Sequence, residues 1–175
     1  MDIVQSLKWS HDSLIALNVP HALIGGMALS EYGYGRGTQD VDWLIPEEAV
    51  ESVVAHFEQN GFSIFHRSAD VLQFTGNAEI DFLIARRPIS RSMIENAHYS
   101  NHLDLPVVLV EDLIGLKIQS YSGNAKRRSK DLGDIQELFE RCTSLNWEKI
   151  KYYADHFQEW SAIEALKIQS RGDDT

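Results

Sequence analysis

The sequence is short of cysteine, of proline and of long apolar runs, and these shortages exclude several classes of protein. Its 175 residues contain one cysteine, Cys142, which excludes an intramolecular disulfide framework and favours a reducing compartment. The four prolines are scattered, and no segment has the composition of a linker or a low-complexity tract. No apolar run is long enough to span a bilayer, and the first residues lack the basic-then-apolar order of a signal peptide. We therefore expect a cytoplasmic protein with no membrane partner.

The sequence also contains fewer basic than acidic residues. The 16 lysines and arginines are outnumbered by 26 aspartates and glutamates, so the formal net charge is −10. Broad, sequence-independent binding to nucleic acid needs a basic surface and is therefore disfavoured. One short basic cluster could still hold a single phosphate-bearing ligand, and it consists of Lys126, Arg127, Arg128 and Lys130. The composition is otherwise that of a globular protein, with 43% hydrophobic and 24% charged residues.

The hydrophobic pattern predicts an α+β fold, in which a small twisted mixed sheet is flanked by helices and followed by a C-terminal helical portion. Helical spacing predicts a first helix that ends near residues 18–20, a short helix over 27–32 and another that ends at Asn60-Gly61. Apolar runs predict strands at 21–24, 40–45, 62–66, 71–74, 79–85 and 107–110, with a hairpin turn at 75–78. Helices are predicted from 111 to about 121 and again from 129 onward. We expect a core domain of residues 1–110, including the N-terminal helix, and a helical portion of residues 111–175 packed on it.

Three aspartates stand in apolar, strand-like surroundings, where a charge is costly to bury. Asp40 and Asp42 are two residues apart in one strand, so their side chains project from the same face. Asp81 repeats the pattern in a second strand, and pairing of the two strands would bring the three carboxylates together. A divalent cation would remove their mutual repulsion, and oxygen ligands suit Mg²⁺ or Mn²⁺. We predict a cluster that holds two metal ions for in-line phosphoryl transfer, with Asp81 also placed to accept a proton and Glu79 as its rival.

A glycine pair precedes the predicted short helix. Gly25-Gly26 would let backbone amides approach an anion closely, and a helix N-terminus favours negative charge. We therefore predict that the pair binds phosphate oxygens, although a tight turn alone would also account for it. Arg36, in the glycine-rich loop that follows, either reaches a triphosphate or is a plain surface residue.

Gly25-Gly26, the Asp40-x-Asp42 strand and the later Asp81 together resemble the signature of the DNA polymerase β-like nucleotidyltransferase superfamily. The resemblance covers about residues 20–140. It implies that Asp40 and Asp42 hold metal ions, that the glycine pair binds the triphosphate, and that Asp81 activates the acceptor. Many members carry Gly-Ser at the glycine pair, so this chain has one hydroxyl fewer there.

A distal segment is similar to the abortive-infection, AbiEii-type toxin nucleotidyltransferases. It reads Arg128-x-Lys130-Asp131-x-x-Asp134, and Lys117 in the preceding helix is similar to a lysine that those proteins place near the nucleotide. The resemblance implies nucleotide contacts for Lys117, Arg128, Lys130 and Asp131. The residues themselves leave other interpretations open: Lys117 could lie on the solvated side of an amphipathic helix, and Asp131 could be the N-cap of the last core helix or lie close to it.

The favoured function is an enzyme that transfers an NMP from an NTP, such as ATP or GTP, to an acceptor with release of pyrophosphate, using Mg²⁺ or Mn²⁺. The toxin resemblance implies an RNA or protein acceptor in a toxin–antitoxin or phage-defence setting, where an antitoxin protein would be a partner. A small-molecule acceptor also stays open, because an acidic pocket suits a cationic compound. Two other classes stay open as well, namely a catalytically silent nucleotide-binding or protein-interaction module of the same fold and a metal-dependent phosphohydrolase.

Overall fold

The structure is a computed structural model that describes residues 1–171. Its helices, in chain order, are α1 (Ile3–Ala16), α2 (Gly25–Glu31), α3 (Val50–Gln59), α4 (Pro88–Glu95), α5 (Val110–Gly123), α6 (Arg128–Arg141), α7 (Trp147–His156) and α8 (Trp160–Arg171). Its strands are β1 (Ala22–Ile24), β2 (Asp40–Pro46), β3 (Ser63–Arg67), β4 (Val71–Thr75), β5 (Glu79–Ala85), β6 (His98–Ser100) and β7 (Leu105–Val107). Within these residues no helix has both the length and the apolarity required to cross a membrane.

The chain divides into two compact units. One comprises residues 1–31 and 35–108, and the other comprises residues 32–34 and the chain from 109 onward. The first unit contains the sheet, whose strand order is β3-β4-β5-β2-β1-β7-β6. The neighbouring pairs β2/β5 and β1/β7 are parallel, and the remaining neighbours are antiparallel. The predicted α+β class, with a mixed sheet flanked by helices, is therefore confirmed.

The centre of the sheet follows from the alternation of residues along β2. Val41 and Trp43 have no exposed surface, whereas Asp40 and Asp42 are half-buried. Alternate residues of a strand face opposite sides, so one face of β2 enters the core and the other carries the aspartates. The Trp43 indole N–H donates to the Ser10 hydroxyl oxygen of α1 at 2.9 Å, which fixes α1 on the buried face.

A histidine pair, with His21 buried and His11 half-buried, supports the chain between α1 and β1. His21 Nδ1 lies 2.7 Å from the Val19 carbonyl oxygen and so carries a proton, while Nε2 of the same ring accepts from His11 Nδ1 at 2.8 Å. Trp43 packs against both rings. Burial lowers the pKa of His21 to about 4 and also lowers the pKa of His11, so the pair is neutral at neutral pH.

The second unit is built from α5, α6, α7 and α8. The apolar side chains that these helices bury include Leu113, Ile114, Ile118, Ile135, Leu138, Phe139, Ile150 and Ile163. Helix α7 lies close against α5 at Gly115, where an added Cβ would stand 2.6 Å from the Tyr153 ring. The Tyr153 hydroxyl donates to Asp112 at 2.5 Å and so holds the ring in that position. The absence of a side chain at Gly115 therefore allows α7 to pack closely against α5.

Several element boundaries differ from those predicted, and two differences of more than one residue lie beside the predicted site or at the start of α5. The strand expected at 107–110 ends at Val107, and Val110 already belongs to α5. Val108 still donates to the Leu23 carbonyl oxygen at 3.2 Å, so the chain stays extended for one more residue. The two acidic residues after Val110 then favour a helix N-terminus, although the apolar run itself is typical of a strand. The helix expected at 27–32 begins earlier, at Gly25.

The sequence pattern does not predict α4 or β6. α4 has eight residues, of which Met93 is buried, so its helical period is too short to stand out in the sequence pattern. β6 has three residues and is too short to show a two-residue alternation.

Candidate active site

The predicted aspartates meet because β2 and β5 pair in parallel. In this pairing Asp42 lies opposite Asp81, and Asp40 lies opposite Glu79. Residues in register on neighbouring strands point to the same face of a sheet. The two aspartate-bearing strands are thus neighbours, as a three-carboxylate cluster requires.

Asp40, Asp42 and Asp81 form a cluster that we call the carboxylate triad. Each contributes one oxygen that lies within 4.8 Å of the oxygens from the other two, and all three residues are half-buried. Oxygen ligands about 2.1 Å from Mg²⁺ stand up to about 4.2 Å apart, so small side-chain rotations bring the triad into ligating range. An all-carboxylate donor set suits Mg²⁺ or Mn²⁺ better than zinc. The residues present therefore fit the predicted cation.

Two neutral side chains hold members of the carboxylate triad. The Thr38 hydroxyl donates to Asp40 Oδ1 at 2.5 Å, and the Gln73 amide donates to Asp81 Oδ2 at 2.5 Å. Gln73 lies directly opposite Asp81 in the antiparallel β4/β5 pair. Sequence reasoning missed both residues. For Gln73 a signal exists, because the predicted hairpin turn at 75–78 places residue 73 near residue 81 on the next strand.

Gly25 fits against the carboxylate triad because it has no side chain. Its φ is +67°, and a Cβ there would stand 1.9 Å from Asp42 Oδ2. Gly26 follows in α2, where a Cβ would come within 2.8 Å of the Thr38 hydroxyl oxygen. The glycine pair therefore does more than form a turn, since it lets the start of α2 lie directly against the triad and the loop before β2.

Arg36 and Glu79, the two remaining candidates of the first unit, differ in their placement. Arg36 is half-buried and donates to the Gly37 carbonyl oxygen at 3.3 Å. Its Nη1 lies 3.5 Å from the position that a Cβ on Gly26 would take, so the guanidinium stands beside Gly26. Glu79 is exposed, and the residue of β5 that joins the carboxylate triad is Asp81.

Lys117, predicted to contact nucleotide, is buried within the second unit. Its ammonium nitrogen lies 2.6 Å from Asp134 Oδ2 and 3.7 Å from Asp131 Oδ1, and none of the three side chains is more than 6% exposed. The alternative that Lys117 lies on the solvated side of its helix is therefore wrong, because two carboxylates of α6 supply the countercharge that permits burial. Asp131 is not the N-cap residue itself, because α6 begins at Arg128, but it lies close to the N-cap, in the first turn of α6.

Arg128 is held by Glu159 within the second unit. Its guanidinium donates to both carboxylate oxygens of Glu159, at 2.8 and 2.9 Å, and lies 4.8 Å from the centre of the Tyr121 ring. The hydrogen bonds from Arg128 hold the pKa of Glu159 below its usual value, so the pair is ionised at neutral pH. Lys130 is exposed to solvent, unlike Lys117.

Comparison with known proteins establishes the fold. No protein-family model matches the sequence, and no curated protein matches it. The solution structure of the antibiotic-resistance factor ANT(2″)-Ia does match, with a TM-score of 0.67 and 18% identity over 94% of this chain and 97% of that chain. The chain has the nucleotidyltransferase fold.

Two further solved structures are similar to this nucleotidyltransferase fold. The crystal structure of ANT(2″)-Ia in complex with adenylyl-2″-tobramycin gives a TM-score of 0.64 and 16% identity over 90% of this chain and 99% of that chain. An antigenic nucleotidyltransferase-like protein from Paracoccidioides brasiliensis gives 0.60 and 14% over 95% and 92%. The fold that the superfamily resemblance implied is therefore confirmed, and the carboxylate triad lies on two adjacent strands of its sheet.

Proposed function

We propose that the protein is a metal-dependent nucleotidyltransferase that moves an NMP from an NTP, such as ATP or GTP, to an acceptor and releases pyrophosphate. The observation that carries the proposal is the carboxylate triad of Asp40, Asp42 and Asp81 on paired strands of a nucleotidyltransferase fold. A protein that only binds nucleotide gains little from three half-buried carboxylates, which repel one another unless a cation joins them.

In the proposed reaction an acceptor hydroxyl attacks the α-phosphorus of the NTP. The new oxygen–phosphorus bond forms as the bond between the α-phosphorus and the bridging oxygen breaks, so pyrophosphate leaves with that electron pair. Asp81 accepts the hydroxyl proton. Asp40, Asp42 and Asp81 would hold Mg²⁺ or Mn²⁺, which supplies positive charge for the attacking and leaving oxygens.

The triphosphate is proposed to lie against Gly25-Gly26 and Arg36. Because Gly25 approaches the Asp42 carboxylate without a Cβ, a phosphate could reach the backbone amides of the glycine pair close to the carboxylate triad. The Arg36 guanidinium stands beside Gly26, and a guanidinium can bind two phosphate oxygens at once. These groups would stabilise the charge that develops on the leaving pyrophosphate.

The distal candidates are proposed to act through the second unit. Lys130 is exposed and able to neutralise phosphate charge directly. Arg128 would exchange the Glu159 carboxylate for a phosphate, because both present two oxygens to its guanidinium. Lys117 and Asp131 are buried together, and their proposed contribution is to hold the first turn of α6.

Our proposal for the acceptor rests on the net charge of the chain and on its resemblance to known proteins. A net charge of −10 favours a cationic small molecule over a polyanion. ANT(2″)-Ia, which has a similar fold, has been crystallised in complex with adenylyl-2″-tobramycin. The AbiEii-type resemblance supports a second setting, in which a cytoplasmic toxin modifies an RNA or a protein and an antitoxin protein restrains it. The acceptors compared in one assay distinguish the two settings.

The test is incubation with each α-labelled NTP and Mg²⁺, offering an aminoglycoside, total RNA, lysate protein and the protein itself as acceptors. We expect label transfer to one class of acceptor, absent in Asp42→Ala and after chelation of Mg²⁺. Asp81→Asn should lower the rate by about 10²–10⁴, because the proton acceptor is removed. Glu79→Gln is the matched control, since it removes a carboxylate from the same strand but not from the triad.

Three other outcomes would redirect the assignment. Unchanged transfer in Asp42→Ala would exclude the carboxylate triad as the catalytic centre. Metal-dependent NTP binding with no transfer to any acceptor would indicate a silent binding module. Release of phosphate without an acceptor would indicate a phosphohydrolase.

A further inference from the structure

Two side chains that have no role in the proposed reaction hold the carboxylate triad. The Thr38 hydroxyl and the Gln73 amide each lie 2.5 Å from one carboxylate oxygen, on Asp40 and Asp81 respectively. An ionised carboxylate can only accept hydrogen bonds, so both side chains act as donors here. Each bond therefore fixes the rotation of one carboxylate.

Both donors are neutral. A lysine or an arginine in either place would cancel part of the negative charge that attracts a cation, and would compete with that cation for the carboxylate oxygens. A hydroxyl and an amide each occupy one lone pair and leave the charge of the carboxylates unchanged. Neutral donors of this kind can orient metal ligands without replacing the metal.

The backbone fixes both donors. Thr38 precedes Asp40 by two residues, and its hydroxyl oxygen would lie 2.8 Å from a Cβ on Gly26, so the loop before β2 closes on the start of α2 there. Gln73 stands in register with Asp81 between two strands of the same sheet. The backbone therefore places each donor beside the carboxylate that it holds.

We propose that Thr38 and Gln73 are positioning residues, which orient Asp40 and Asp81 for a divalent cation by holding one oxygen of each carboxylate. The inference rests on the proposed metal site. Without these hydrogen bonds the carboxylates can rotate apart to relieve their repulsion, and the cation must then reorder them when it binds. Loss of such supporting contacts around a metal site typically lowers metal affinity by about 10–100-fold.

The test is Mn²⁺ binding to the full chain without nucleotide, followed by electron paramagnetic resonance. Thr38→Val removes the hydroxyl at nearly constant shape, and Gln73→Met removes the amide at nearly constant length. We expect each to weaken Mn²⁺ binding by about 10-fold, whereas Thr38→Ser keeps the donor and binds as the unaltered chain does. Thr75→Val is the matched control, because it removes an exposed hydroxyl from the same strand as Gln73.

The outcomes separate this inference from the proposed function. Wild-type Mn²⁺ affinity in Thr38→Val and Gln73→Met, with binding lost in Asp42→Ala, would overturn the positioning roles and leave the metal site standing. An unaltered chain that binds no Mn²⁺ would overturn both. Thr38 lies half-exposed in a loop, so the comparison of Thr38→Val with Thr38→Ser decides the matter even where Gln73→Met does not fold.

A kinetic measurement distinguishes positioning from a general structural role. In Thr38→Val the Mg²⁺ concentration that gives half-maximal transfer should rise by the same factor as the Mn²⁺ dissociation constant. The rate at saturating Mg²⁺ should recover toward that of the unaltered chain. A rate that stays low at every Mg²⁺ concentration, with normal Mn²⁺ affinity, would overturn the inference.

Discussion

Replacement of Gly25 by alanine tests the arrangement of the site most directly. The φ of +67° at this position costs an alanine about 1–2 kcal/mol. The new Cβ would stand 1.9 Å from Asp42 Oδ2 and 2.7 Å from Asp42 Cβ. The carboxylate can rotate away, but its Cβ is fixed by β2, which pairs with strands on both sides. The backbone must therefore shift, and overpacking of this kind costs about 1–3 kcal/mol.

We therefore expect Gly25→Ala to lower the free energy of unfolding by about 2–5 kcal/mol. It should also remove Mn²⁺ binding, because the Asp42 carboxylate leaves its place. Urea unfolding followed by circular dichroism measures the first effect, and electron paramagnetic resonance measures the second.

Gly61→Ala provides the control for backbone strain alone. Gly61 has a φ of +84°, but no atom lies within 4 Å of the Cβ that alanine would add. Its cost should be about 1–2 kcal/mol, with Mn²⁺ binding unchanged. The reasoning is refuted if Gly25→Ala and Gly61→Ala unfold at the same urea concentration and both bind Mn²⁺ normally.

Three further predictions concern stability and use the same urea assay. The pKa of His21 is about 4 in the folded chain and about 6.5 in the unfolded chain. The folded state therefore binds this proton less readily, and the free energy of unfolding should fall by about 3 kcal/mol as the pH drops from 6.5 to 4. His21→Gln should flatten that slope, and an unchanged slope would contradict the assignment. Gly115→Ala should cost about 1–3 kcal/mol through its clash with the facing tyrosine ring, whereas Gly133→Ala, with open space in α6, should stabilise by about 1 kcal/mol. Effects of the same sign would contradict this packing. Asp134→Ala removes the nearest countercharge of buried Lys117 and should cost about 3–5 kcal/mol, and a cost below about 1 kcal/mol would contradict that role.

The carboxylate triad could be predicted because it depends mostly on local patterns. The two-residue period of a strand places Asp40 and Asp42 on one face whatever the rest of the chain does. The pairing of β2 with β5 could not be predicted from local patterns, because packing over the whole unit decides the order of strands in a sheet. The resemblance to the nucleotidyltransferase superfamily is what suggested that these strands are neighbours. The register of Asp42 with Asp81 is seen in the structure.

The environment of Lys117 could not be predicted for a physical reason. Sequence periodicity places Asp131 and Asp134 on one face of α6, and an acidic face is normally solvated. The structure turns this face inward because Lys117 supplies a buried positive charge at 2.6 Å from Asp134. Such a contact joins two helices through side chains alone, so neither helix reveals it by itself.

The carboxylate triad and the Asp131/Asp134 pair differ in the charge of the side chains that hold them. Asp131 and Asp134 face the ammonium of Lys117, so the second unit already contains a countercharge for them and they stabilise its interior. Asp40 and Asp81 are held instead by a hydroxyl and an amide, which orient the carboxylates but add no positive charge. The Gln73 amide therefore orients Asp81 and leaves its negative charge available to the cation that we propose.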